Sequence, residues 1–107
     1  MTALAPTLQA FFTERLARQK NASPHTVAAY RDALRMLVQF AARRIGTAPA
    51  RLQIEDVDAR LVGAFLDHLE HERGNSARTR NTRLAAIHSL FRFAALSEVS
   101  DNAAYLQ

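Results

Sequence analysis

The chain has 107 residues, enough for one domain to bury a core, and no cysteine, which excludes a disulfide framework and a thiolate metal site. Its apolar runs fall far short of the roughly 20 residues of a membrane-spanning helix, and its first residues lack the pattern of a secretory signal. Fourteen Lys and Arg residues against ten Asp and Glu give a formal charge of +4, which favours an anionic partner such as nucleic acid. We therefore expect a cytoplasmic protein with no membrane partner.

Two amphipathic helices are predicted in the first half of the chain. The first begins near Pro6, because proline is tolerated at the first helical position, and it ends at Asn21. The second opens with Ser23 as N-cap followed by Pro24, and it ends at Gly46. In both, apolar residues recur at intervals of three and four, which predicts one buried face.

The segment after the second helix is predicted to be a loop that Leu52 and Ile54 attach to the core. A third helix then starts at Asp56 or Asp58, because acidic side chains in the first turn favour the positive end of the helix dipole. It ends at Gly74, since glycine commonly follows the last helical residue.

The fourth helix is predicted from Ser76, its N-cap, to Leu96. No periodic pattern follows, so residues 1–97 are interpreted as one helical domain and residues 98–107 as a tail. No sustained alternation of polar and apolar residues predicts a strand. The predicted fold class is all-α, a compact bundle of four helices with short loops.

The polarity of the fourth helix changes along its length. Its first two turns carry the hydrogen-bond donors Arg78, Thr79, Arg80, Asn81, Thr82 and Arg83, whereas its later turns are apolar. Such a helix can anchor its second half in a core and present its start to a polyanion, as helices that dock in a DNA groove do. An ordinary solvated helix end is the alternative, but the helix dipole disfavours cations at this end.

Two stretches resemble the N-terminal domain of tyrosine recombinases and phage-type integrases. In SPHTVAAYRDALRMLVQFA, the pattern is Ser23, Thr26 and Tyr30 leading into an apolar helix. In VDARLVGAFLDHLEHERGNSARTRNTRLAAIHSLFRFA, a Phe-Leu-x-x-Leu helix precedes a helix that opens at Thr79 and ends in Ser-Leu-Phe-x-Phe. The resemblance covers about residues 5–97, and the order and spacing of the motifs make it specific.

In that family this domain is called the core-binding or SAM-like domain, and it forms one jaw of a clamp around DNA. The resemblance implies that the second and fourth helices lie against the major groove. It implies DNA contacts from Ser23, His25, Thr26, Tyr30 and Arg31 on the second helix and from Arg78, Thr79, Asn81 and Arg83 on the fourth. Arg80 ranks below them, because its position is usually apolar in the family and shares a helix face with Leu84.

The family's chemistry lies in a second domain, where a tyrosine attacks the scissile phosphate. That domain is absent from this sequence, and neither Tyr30 nor Tyr105 is expected to be a nucleophile, because no His-x-x-Arg segment occurs. We expect the chain to bind double-stranded DNA without cutting it, and residues 98–107 to lead toward the catalytic domain of a parent protein. The resemblance also implies a homo-oligomer on DNA.

Other chemistry has weaker support in the sequence. The metal-ligating residue types at His68, Glu70, His71 and Glu72 do not match the His-Glu-x-x-His spacing, so no metal site is predicted. No glycine-rich phosphate loop or nucleophile elbow occurs, so no cofactor is predicted. The competing hypothesis is a helical protein-interaction module that holds a partner helix and has no DNA affinity.

Overall fold

The computed structural model describes residues 2–16, 23–71, 74 and 76–106, with side chains described as far as Ser97. Its four α-helices are α1 (Leu4–Ala10), α2 (Pro24–Ile45), α3 (Ala59–His71) and α4 (Ala77–Leu106). A π-helical segment, Phe11–Leu16, continues α1, and two 3-10 turns, Pro49–Arg51 and Ile54–Asp56, connect α2 to α3. The described residues form no strand beyond one isolated bridge, so the predicted all-α fold is confirmed.

Helix α1 begins at Leu4, two residues before the predicted start at Pro6. The Leu4 amide donates a hydrogen bond of 3.0 Å to the Leu52 carbonyl, next to the bridge between Ala3 and Gln53. The chain therefore turns helical directly after it leaves this pairing, which the local sequence does not encode. The predicted end at Asn21 lies outside the described residues.

The N-terminal residues are also tied down by Glu55. Its two carboxylate oxygens accept hydrogen bonds from the Thr2 amide at 3.1 and 3.2 Å, and the Ile54 amide donates to the Thr2 carbonyl at 2.8 Å. The backbone N–H of Glu55 itself, followed by that of Thr2, lowers the pKa of the Glu55 carboxyl, because both donors favour the ionised form.

Helix α2 has the predicted limits. The Ser23 hydroxyl accepts a hydrogen bond from the Thr26 amide at 3.1 Å, and Pro24 occupies the first helical position. Gly46 ends the helix with a φ of 80°, a left-handed conformation that suits glycine because it has no Cβ. Strong signals at both ends explain why the sequence predicts this helix so closely.

The connection from α2 to α3 is anchored as expected. Leu52 is fully buried and Ile54 is half-buried against the core. Of the two predicted starts of α3, Asp58 is the cap, since its carboxylate accepts from the Leu61 amide at 2.9 Å. Asp56 instead accepts from the Gln53 amide at 2.8 Å inside the second 3-10 turn.

Helix α4 begins as predicted but extends further. The Ser76 hydroxyl accepts from the Thr79 amide at 3.2 Å, as an N-cap does. The helix continues to Leu106, beyond the predicted end at Leu96. Residues 97–106 contain neither glycine nor proline, so nothing interrupts the backbone even though the apolar periodicity has faded.

One core joins all four helices. Its largest fully buried side chains are Phe11, Phe65, Leu4, Leu34, Leu37, Leu52, Leu69, Ile87 and Leu90. The Phe11 and Phe93 rings meet edge to face with centroids 5.7 Å apart, which fixes the π-helical segment against α4. No polar side chain is buried among the described residues, and no described helix has the length and apolarity needed to cross a bilayer.

Candidate nucleic-acid interface

A shallow groove of about 230 Å³ lies between the N-terminal parts of α2 and α4. Ala29 and Asp32 line it from α2, and Thr79, Thr82 and Arg83 line it from α4. We call this surface, formed by residues 23–32 and 76–83, the α2–α4 face. The small side chains keep the groove open, so a ligand can approach both helices at once.

Arg78 and Asn81 are the predicted α4 residues that are exposed near the start of the helix. Arg78 is the second residue of the helix, where the free backbone N–H groups and the dipole both disfavour a positive charge. An anion bound there would interact favourably with the guanidinium and with the free amides together. The arrangement therefore suits a phosphate group.

Thr79 and Thr82 have local hydrogen bonds. The Thr79 hydroxyl lies 3.2 Å from the Ser76 hydroxyl, which caps the helix, and Thr79 is half-buried. The Thr82 hydroxyl donates to the Arg78 carbonyl at 3.0 Å. Both hydroxyl oxygens can still accept a hydrogen bond. The two side chains form a polar part of the groove lining.

Arg83 is turned toward α2. Its Nη1 lies 2.6 Å from the Met36 sulfur, and its Nε is buried without a hydrogen-bond partner. The side chain is half-buried, so it packs across the α2–α4 contact as well as facing the groove. The Nε is therefore an unsatisfied donor inside the α2–α4 contact, which lowers the stability of the fold.

Arg80 occupies the edge of the core, as the sequence analysis expects. Its Nε lies 3.5 Å from Glu70 Oε1, an ion pair that joins the end of α3 to the start of α4. The two side chains are 36% and 35% exposed, and the Nε makes no hydrogen bond, so the pair is a weak link.

The α2 candidates take different positions. Ser23 and Thr26 cap the helix, and their hydroxyls are 3.1 Å apart. His25 is exposed, and it lies four residues before Ala29 on the side of α2 that lines the groove. Tyr30 is half-buried and packs against the core.

Arg31 lies on the opposite side of α2 from the groove. Its guanidinium carbon is 5.7 Å from the centroid of the Phe12 ring, so it stacks on the π-helical segment that follows α1. The structure thus places Thr79 and Arg83 in the lining of the groove, with His25 on the same side of α2. Arg78 and Asn81 are exposed near the start of α4 but do not line the groove, and Arg31 is separated from it. Arg31 remains exposed and can reach only a more distant part of a bound duplex.

The sequence analysis did not select Ala29 and Asp32 as site residues. Asp32 pairs with Arg35 at 2.6 Å, and the two side chains are 58% and 65% exposed. The available signal was their spacing from His25, because steps of four and three residues place all three on one side of a helix. This carboxylate reduces the positive charge of the face and can accept a hydrogen bond from a base edge.

Among the described residues, Asp67, Glu70 and His71 could place metal-ligand atoms within 4.8 Å of one another. The three are exposed, and Glu70 is the residue that pairs with Arg80. Surface carboxylates commonly meet in this way without a metal, so the group gives no support for a metal centre. Of the four residues weighed in the sequence as metal ligands, Glu70 and His71 belong to this group, His68 does not, and Glu72 lies outside the described residues.

Comparison with known proteins gives one consistent answer. Residues 10–98 match the family model of the phage integrase N-terminal SAM-like domain. The Sinorhizobium fredii proteins y4rC and y4rD, both named as integrase/recombinase, are 52% identical over 97% of the chain and 53% identical over 89%. The tyrosine recombinase XerC of Pelobacter propionicus is 38% identical over 89% of the chain.

The chain spans about a third of the length of these relatives, with 31%, 34% and 30% of each covered. The matched third is the N-terminal SAM-like domain. No solved structure gives a significant match.

Proposed function

The chain belongs to the family of phage integrase N-terminal SAM-like domains, and from that premise we propose that it binds duplex DNA during site-specific recombination. In this proposal α2 and α4 lie against the major groove with their N-terminal turns. The binding is mainly electrostatic, because phosphate contacts position such a domain and base contacts add specificity.

The observation that carries the proposal is the groove between the N-terminal parts of α2 and α4. It is lined by the second and third turns of α2 and by the first two turns of α4, and each helix is capped by a serine. Arg78 adds a positive charge where the helix dipole makes it unfavourable in the free protein. A DNA phosphate removes that cost, so the charge is explained by binding rather than by stability.

The predicted residues contribute in different ways. Arg78 and Asn81 are exposed and donate to phosphates or base edges, and His25 contributes from α2. The hydroxyls of Ser23, Thr26 and Thr79 hold the helix starts in place and can accept or donate locally. Arg83 reaches the groove floor, whereas Arg31 and Tyr30 serve the outer edge of the interface.

The relatives are about three times as long as this chain, which supports a second, catalytic domain in a parent protein. In that arrangement this domain binds DNA and does not cut it. Residues 98–107 lead toward the catalytic domain, and the extension of α4 to Leu106 would make that connection helical. Several copies assemble as a homo-oligomer on DNA.

A second candidate function is supported by the other end of the bundle. An apolar groove of about 380 Å³ lies between α1 and the second half of α4. We call it the α1–α4 groove, and its lining residues include Pro6, Ala10, Ile54, Phe91 and Ala94. An apolar groove between helices can hold a partner helix, as an interaction module without DNA affinity would.

Fluorescence anisotropy with a labelled duplex, titrated with salt, tests the proposed function. We expect binding that weakens steeply with salt, and an Arg78→Ala, Asn81→Ala double variant that binds about tenfold more weakly. The salt slope of this variant should be shallower by about 0.9 for the lost phosphate contact. Arg60→Ala removes one exposed cation at the start of α3 and serves as control.

A wild-type chain that does not bind duplex DNA at low salt would contradict the proposal and favour the interaction module. Equal losses of duplex affinity in the double variant and in Arg60→Ala would be compatible with DNA binding by the chain. They would exclude the start of α4 from the interface.

A further inference from the structure

Another groove lies outside the α2–α4 face, between the second half of α2 and α3. It encloses about 590 Å³, and we call it the α2–α3 groove. Its lining residues are Met36, Gln39, Phe40, Arg43, Arg44, Ala64, Phe65, Asp67, His68 and His71. Arg43 and Arg44 against Asp67 leave this open groove with a net positive charge.

Arg44 of this groove lies on an aromatic floor. The Arg44 guanidinium carbon lies 5.9 Å from the centroid of the Phe40 ring. That ring packs in turn against Phe65 at 5.5 Å and His68 at 5.3 Å between centroids. A stacked guanidinium keeps its N–H donors at its edge, where they can bind a phosphate, and stacking limits the rotamer entropy lost on binding.

The α2–α3 groove is continuous with the α2–α4 face. Met36 forms part of its wall and is also the residue that Arg83 contacts from α4. Asp32, Met36 and Arg43 are separated by steps of four and seven residues, so they follow one side of α2. At 1.5 Å per residue, Arg43 lies roughly 16 Å beyond Asp32, which corresponds to about five base pairs of a duplex.

We propose that the α2–α3 groove binds a phosphodiester group of the DNA backbone through Arg43 and Arg44. This inference rests on the proposed function, and it extends the interface along α2 to a part of the chain that the family resemblance did not select. Asp67 lines the same groove from α3, so its carboxylate opposes the phosphate and limits the strength of the contact.

The charge balance of the groove includes groups from three helices. Arg43 and Arg44 come from α2, Asp67 and His71 come from α3, and the Glu70–Arg80 pair closes the end where α3 approaches α4. The acidic side chains do not cancel the two arginines, because Glu70 already has Arg80 as its partner. The net charge in the groove is therefore positive with neutral histidines.

Duplex binding by an Arg43→Ala, Arg44→Ala variant of the chain tests the inference, with anisotropy as the readout. We expect affinity about tenfold lower than wild type and a salt slope shallower by about 0.9 for one lost phosphate. The matched control, Arg15→Ala with Arg92→Ala, removes the same charge from exposed positions that do not line the groove. Arg43→Lys with Arg44→Lys should regain part of the lost affinity, because each ammonium still contacts phosphate as a point charge.

A second variant removes the negative charge of Asp67 instead of the positive charges. Its expected effect on binding has the opposite sign, which a folding defect would not produce. Asp67→Asn should tighten duplex binding about threefold, because it removes the opposing charge, whereas Glu14→Gln at an exposed position should have a smaller effect. A structural role for the groove would not produce effects of opposite sign from Asp67 and the arginines.

The outcomes separate the two proposals. If the Arg43 and Arg44 variant loses no more than its control while the Arg78 and Asn81 variant is weakened, the groove is not a phosphate site and the proposed function stands. If the wild-type chain shows no salt-dependent binding, the proposed function and this extension both fail.

Discussion

The two ends of α4 present opposite surfaces. At its start, the α2–α4 face has exposed donors on two capped helix starts around a groove of about 230 Å³. Beside its second half, the α1–α4 groove of about 380 Å³ is lined by Phe91, Phe93, Ala94 and Ala95, with Glu55 at its edge. The first surface carries exposed hydrogen-bond donors, whereas the second offers apolar area and a carboxylate.

The difference shows that the polar and apolar parts of one helix are separated along its length. Ile87 and Leu90 are buried between the two surfaces and hold α4 in the core. Each surface can therefore be changed by substitution without moving the other. The comparison also gives the two candidate functions separate locations, so they can be tested separately.

The largest expected effect comes from a core substitution that destabilises the fold on which both surfaces depend. Phe11 is fully buried and packs edge to face against Phe12 and Phe93. Phe11→Ala should lower the free energy of unfolding by about 3–5 kcal/mol, because it leaves a large cavity between the π-helical segment and α4. Urea unfolding followed by circular dichroism measures the change, and Thr13→Ala at an exposed position is the control. A loss below about 1 kcal/mol would mean that this aromatic contact does not hold the bundle together.

Substitutions at Arg83 should have a smaller effect on stability. They also separate two roles of this residue, because it packs against α2 and also faces the groove. Arg83→Ala should lower the free energy of unfolding by about 1 kcal/mol and weaken duplex binding about tenfold. Arg83→Met keeps the packing against Met36 but removes the charge and the buried unpaired nitrogen. It should therefore weaken binding without a loss of stability. Wild-type affinity in the Met variant would assign Arg83 to packing alone.

The smallest expected effect lies at the other end of the bundle. Hydrogen bonds from the backbone of Glu55 and of Thr2 lower the pKa of the Glu55 carboxyl in the folded state. The ionised carboxylate therefore stabilises the fold above the carboxyl pKa of the unfolded chain, and this stabilisation is lost as the pH falls through the lowered pKa.

Glu55→Gln should consequently be less stable than wild type at neutral pH, and the difference should shrink in acid. Thermal unfolding across a pH series measures it, with Glu14→Gln as control. DNA binding of Glu55→Gln should change no more than that of the control, because Glu55 lies away from the α2–α4 face. A marked gain in duplex affinity in Glu55→Gln but not in Glu14→Gln would show that DNA lies near Glu55. That result would contradict an interface on the α2–α4 face.

Local signals in the sequence were sufficient for most of the fold. Ser23 and Pro24 predicted the start of α2, and Gly46 predicted its end, because caps and left-handed glycines act over a few residues. The start of α1 at Leu4 was not predictable in this way, since a pairing with residues about 50 positions away determines it. The end of α4 was missed because the prediction relied on apolar periodicity, which a helix extending beyond its core does not need.

The residue types of the candidate site were predictable from the sequence, but the directions in which their side chains point were not. The donors near the start of α4 were visible as a cluster, and Arg78 and Asn81 are exposed as that cluster suggested. Where a long arginine side chain ends depends on its tertiary neighbours: Arg83 lies on Met36, and Arg31 lies on Phe12. The α2–α3 groove was invisible for the same reason, since α2 and α3 contribute residues that are distant in the sequence.

Backbone amide chemical shifts, recorded while an unlabelled duplex is added to the isotope-labelled chain, test the central claim most directly. The account predicts that the shift changes concentrate in residues 23–32 and 76–83, continue along α2 to Arg43 and Arg44, and leave residues 2–10 and 91–97 unchanged. Changes concentrated around the α1–α4 groove, with the starts of α2 and α4 unaffected, would contradict it.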